Sequence, residues 1–117
     1  MNDMDYITVS IPVHLWVHVD GIVDNSVAVD VVEADMESVT AGACVRDAGW
    51  RAAAGEPDRD QYGWPPVDHV LEITLRRAHW IWVLYQLDRW APYTKPPTSY
   101  ALQQLIDTAL EGSIDND

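Results

Sequence analysis

The sequence of 117 residues has no phenylalanine, one cysteine, one lysine and no long apolar run, and each scarcity excludes something. Cys44 cannot close an internal disulfide, so a stapled secreted mini-domain is excluded. Seven basic residues against 19 acidic ones leave a formal charge of −12. Contacts to a phosphate backbone need clustered Lys and Arg, so no direct nucleic-acid binding is expected. The uncharged stretches Tyr6–Val19 and His79–Leu87 fall short of the roughly 20 apolar residues that cross a bilayer, and no membrane contact is expected. Asp3 and Asp5 stand where a signal peptide would carry positive charge. With the lone thiol, the expectation is a cytoplasmic protein. Neither a Gly-x-Ser-x-Gly elbow nor a Gly-rich phosphate loop occurs, and no internal repeat is legible.

What is present is apolar enough to fold, at 48% hydrophobic residues, and long enough for one domain over residues 1–117. From Tyr6 to Asp20, Ile7, Val9, Ile11, Val13, Leu15, Val17 and Val19 alternate with more polar residues, which predicts a half-buried strand. Val27, Val29 and Val31 predict a second strand, so that residues 6–33 form an antiparallel hairpin. Pro12 places the first strand at an edge, open to pairing with a second copy of the chain as a homodimer. Three helices are expected. Met36–Ala54 is capped by Asp35 and stopped by Gly55. Val67–Trp90 carries a buried stripe of Leu71, Leu75, Ala78, Trp82 and Tyr85, with Val70–Leu75 readable as a strand instead. Ser99–Glu111 closes the fold. The class is therefore α+β: an N-terminal hairpin packed by about three helices.

The four histidines invite a metal site, but the spacing opposes one. His14 and His18 on a strand lie about 13 Å apart, and His69 and His79 on a helix about 15 Å apart, too far to share an ion. Neither a metal nor a cofactor is expected. Cys44, in the small-residue run Ala41-Gly42-Ala43-Cys44, reads as a buried small hydrophobe rather than a nucleophile. In the hairpin, His14 or His18 would oppose Asp24 or Asp30, which leaves open a small enzyme or ligand-binding domain using those side chains. No catalytic residue is assigned. Arg76 and Arg77 with Trp80 and Trp82 could bind single strands, but two arginines are a weak attractor in so acidic a chain.

The acids are unevenly spread. Asp20, Asp24, Asp30, Glu33, Asp35 and Glu37 crowd one segment without a base, beside a strand face carrying His14, Trp16 and His18. An aromatic anchor inside an acidic rim is a protein-interaction pattern that steers a basic partner. The alternative is a helix that covers this face and buries Trp16. The reading is a non-enzymatic binding protein that occupies a basic surface of another macromolecule. A nucleic-acid-handling enzyme is the natural target, as for phage anti-defence, immunity or antitoxin proteins. A structural assembly subunit is a further reading.

Overall fold

The computed structural model describes residues 2–94 and 96–115, with side chains through residue 112. Strand β1 (Tyr6–Pro12) runs directly into helix α1 (Val13–Val32), followed by α2 (Met36–Ala54). Strand β2 (Val70–Arg76) runs directly into α3 (Arg77–Trp90), followed by a 3-10 turn (Ala91–Tyr93) and α4 (Pro96–Asp115). The class is α+β, as expected, with an antiparallel two-stranded sheet whose first strand is N-terminal. The strand's partner is not the segment after Asp20 but β2, with Val9 opposite Ile73. The alternation expected of a half-buried sheet holds in both strands: Ile7, Val9, Ile11, Leu71, Ile73 and Leu75 are buried. On the outer face Thr8 and Thr74 share a 2.7 Å hydrogen bond, Ser10 donates to Glu72, and Arg76 donates to the Tyr6 hydroxyl at 3.2 Å.

The predicted strand over Val13–Asp20 and the hairpin over 6–33 are corrected: Val13–Val32 is a helix. The alternating residues there also satisfy a helical period. Leu15, Trp16, Val19, Ile22, Val23, Ser26 and Asp30 fall on one buried face, while Val17 is exposed. The predicted helix over Val67–Trp90 is corrected likewise, because Val70–Arg76 takes the strand alternative and the helix begins at Arg77. Helix α2 matches its expected bounds, with the Asp35 carboxylate accepting from the Ser38 N–H at 3.2 Å. Helix α4 starts at Pro96 rather than Ser99 and runs to Asp115, since prolines suit the first turn of a helix.

The two halves repeat, although no repeat is legible in the sequence. Adding 64 to a residue number in β1 gives its counterpart in β2, and the pairing Tyr6–Arg76 maps onto Pro12–Val70. The helix starts follow the same rule. Val13 N–H donates to His69 O and His14 N–H to Val67 O; Arg77 N–H donates to Asp5 O and Ala78 N–H to Asp3 O, between 2.8 and 3.2 Å. First-turn amides of a helix lack intrahelical partners, and here each half supplies them for the other. Trp16 and Trp80 are counterparts under this rule, both fully buried, and meet edge to face with ring centroids 6.4 Å apart.

The counterparts differ in their surroundings. Trp80 Nε1 donates to Ile7 O at 2.8 Å, while Trp16 Nε1 has no partner among the described residues and rests on Gly49, where an added Cβ would lie 2.0 Å from it. Gly49→Ala should therefore destabilise by about 2 kcal/mol or more through overpacking, despite alanine's higher helix propensity. Gly21, exposed in α1 with nothing within 4 Å of an added Cβ, should gain up to about 1 kcal/mol on Gly21→Ala. Urea unfolding of the two variants checks the opposite signs. Trp80→Phe, which removes the buried hydrogen bond from the indole N–H to Ile7 O, should cost more than Trp16→Phe by about 1 kcal/mol or more in the same measurement.

Candidate functional site

The residues singled out by sequence lie along α1, the turn after it and the first turn of α2, and their surroundings differ. Trp16 is in the core at 0% exposure, buried as the alternative had it but on helix α1 and not on a strand face, so it is no exposed anchor among the acids. His14 is exposed, its Nδ1 3.1 Å from Val67 O, and His18 is half-buried one turn further on. Neither histidine faces Asp24 or Asp30 across a hairpin, because all four stand on one helix. Asp20 and Asp24 are tied to Arg46 of α2, which donates from Nε at 3.1 Å to Asp20 and from Nη1 at 3.0 Å to Asp24. Glu33, Asp35 and Glu37 are exposed at the α1–α2 corner. That corner turns through Ala34 at φ 60°, a left-handed conformation that costs a non-glycine residue energy.

Asp30 is the sixth acid of that segment and has a different role. At 5% exposure it is buried, and a polar network explains how its charge is tolerated. Arg89 of α3 donates to both carboxylate oxygens at 3.2 Å, and Ser38 of α2 donates to Oδ2 at 2.6 Å. Trp82 Nε1 donates to Ser38 Oγ at 3.2 Å. Arg89 also donates to Gln86 Oε1, which accepts from Ser26; Ser26 in turn accepts from Trp90 Nε1 at 2.8 Å. Burial alone would raise the Asp30 pKa, but the hydrogen bonds from Arg89 and Ser38 and the Arg89 charge hold it below its ordinary value.

The network forms one side of a groove between the start of α2 and α3, with a volume of about 640 Å³. Trp82, Tyr85, Glu37 and Asp35 border it, and the small side chains Ala41 and Ala78 keep it open. Tyr85 is 69% exposed, against the expectation that it lies in a buried stripe. That stripe was extended from Leu71 and Leu75, which are strand residues; the buried face of α3 is Trp80, Val83, Gln86 and Leu87. A second groove, between α2 and β2, is lined by Arg51, Arg76, His79 and Cys44 among others. Cys44 is exposed there, not buried as its small neighbours suggested.

Among the described residues no three His, Cys, Asp or Glu side chains converge to hold a metal ion. No helix among them is long and apolar enough to cross a membrane.

Two predictions follow the charges. Asp30→Asn removes one partner of a buried pair and should cost about 3 kcal/mol, the low end for such a loss because Arg89 can turn toward solvent. Glu33→Gln, at an exposed carboxylate, should change stability by less than about 0.5 kcal/mol in the same denaturation experiment. Burial lowers the pKa of His18 and of His79 below 6.5, with the Arg76 charge adding at His79. Such groups carry no penalty above pH 6.5, and the penalty grows as pH falls from there through their folded values. Unfolding free energy should therefore drop between pH 7 and pH 5, and His18→Gln combined with His79→Gln should flatten that drop. Asp30 acts in a lower window: its stabilisation is complete above 3.8 and is lost as pH falls through its depressed value.

The residues that sequence reasoning left out of the site are Ser38 of α2 and Trp82, Tyr85, Gln86 and Arg89 of α3. A helical phase started at Arg77 would have separated Tyr85 from the core. Compared with known family models, curated proteins and solved structures, the chain matches none.

Proposed function

We propose that this chain is a small acidic binding protein that occupies a basic surface of another macromolecule. The observation that carries the reading is how its charges are distributed. Arg46, Arg51, Arg77 and Arg89 are each spent on an internal carboxylate, namely Asp20 and Asp24, Asp47, Asp3, and Asp30. Glu33, Asp35 and Glu37 take part in no ion pair among the described residues. Beside them Val31, Val32 and Met36 are exposed, Val32 at 85% and Met36 at 59%. Apolar side chains within an acidic rim suit a protein partner of positive potential. A nucleic-acid-handling enzyme has such a surface, and an acidic occupant would compete with its substrate there. The protein would act as an inhibitor of the anti-defence, immunity or antitoxin type.

The test is capture of basic proteins on the immobilised chain at low and at high salt. Partner recovery at low salt, lost at high salt, is expected. Glu33→Lys with Glu37→Lys should abolish capture, while Asp107→Lys with Glu111→Lys, an equal charge change on α4, should leave it intact. Equal loss in both variants would show that net charge alone attracts the partner and would overturn the reading of the corner.

A further inference from the structure

The groove beside the acidic corner has a more specific chemistry than the corner itself. Of its charges, Arg89 is matched by Asp30 through two hydrogen bonds. The charge left to the groove is that of Asp35 and Glu37. Asp35 spends one oxygen, Oδ1, on the Ser38 N–H, whereas Glu37 forms no hydrogen bond among the described residues. Two aromatic rings complete the lining. Trp82 is fixed by its bond to Ser38 Oγ, and Tyr85 stands exposed in the turn after it. Carboxylate and aromatic faces in one groove bind a cation that can stack and donate hydrogen bonds at once. Guanidinium meets both demands, being planar and weakly hydrated, whereas ammonium is a compact, strongly hydrated charge.

We propose that this groove receives an arginine side chain of the basic partner, its guanidinium lying over the Tyr85 and Trp82 rings and against the Glu37 carboxylate. The proposal rests on the reading of the acidic corner as a partner-binding surface and names the anchor that surface takes. The groove is preorganised for it. Asp30, Ser38, Gln86 and Arg89 bind one another across α1, α2 and α3, so the flanking helices need no reordering when a side chain enters. The Arg89 guanidinium does not repel the newcomer strongly, because its charge is already paired.

The test is titration of the whole protein with N-acetyl-arginine amide, followed by NMR at the indole N–H of Trp82, assigned with Trp82→Phe, and at the Tyr85 ring. Saturable shifts of both are expected. N-acetyl-lysine amide should bind at least about twofold more weakly. Tyr85→Leu and Glu37→Gln should each weaken arginine binding about two- to fivefold, while Asp107→Asn, away from the groove, should leave it unchanged. Shifts that rise linearly without saturation, an equal response to lysine, or indifference to both groove variants would each overturn the proposal. The corner reading fails separately, by the capture experiment, whose charge-reversal variants leave Tyr85 in place. Capture that is retained in Tyr85→Leu while the arginine amide fails to bind would remove the groove anchor and leave the corner.

Discussion

The pairing of Tyr6–Pro12 with Val70–Arg76 is the constraint on which the rest of the molecule depends. Two strands alone are marginal in water, and these are joined only through two intervening helices and a loop, so local turn chemistry does not bring them together. The helices supply what the strands lack. Each strand passes into its helix without a connecting turn, and the first amides of each helix are satisfied by the chain just before the opposite strand. Neither helix start is complete without the pairing, and the pairing brings both starts into place. Strand register, helix position and the Trp16–Trp80 contact therefore form one cooperative unit.

Within this near-symmetric frame the two halves differ in ways that place the site. Helix α2 meets the core with Ala41, Gly42, Val45, Gly49 and Ala53, whereas α4 brings Leu102, Ile106 and Leu110. The small face of α2 lets Trp16 lie directly on Gly49. It also keeps the helix close to α1, so that Ser38 reaches Asp30. Helix α3 ends at Trp90, whereas α1 runs on through Asp30 to Val32, so the second half has no helical counterpart of Asp30. The buried carboxylate and the acidic corner are accordingly features of the first half, while the arginine that pairs the carboxylate comes from α3 of the second.

The sequence was legible where one period had no competitor. Helix α2, with its Asp35 cap and Gly55 stop, and the inward residues of β1 could be read directly. Val13–Val19 could not, because Val13, Leu15 and Val19 fit an alternating strand and a helical face equally well; Trp16 and the pair Ile22–Val23 favoured the helix, but the valines masked that signal. Once Tyr6–Asp20 and Val27–Val31 are taken as strands, a local hairpin appears complete and nothing asks for a distant partner. The second error follows from the first, since β2 is needed only when β1 lacks a neighbour. Most of the candidate acids were visible by composition. Their division into a buried network member, an Arg46-bound pair and a free corner depends on which face of α1 each occupies, and that face was assigned with the wrong period.

The corrected phase of α1 also bears on what the acids are for. Asp30 holds three helices together, Asp20 and Asp24 fasten α1 to α2 through Arg46, and Asp35 caps α2. These carboxylates have structural employment, and their presence calls for no partner. Glu33 and Glu37 have none among the described contacts, and they flank Val32 and Met36, whose exposure costs the isolated protein favourable burial. Solubility can be served by acids anywhere on the surface. It does not require them beside exposed valine and methionine, at a corner strained through Ala34. A partner surface that is basic and partly apolar accounts for both features together, which is why the weight of the functional reading falls on this corner and not on the chain's total charge.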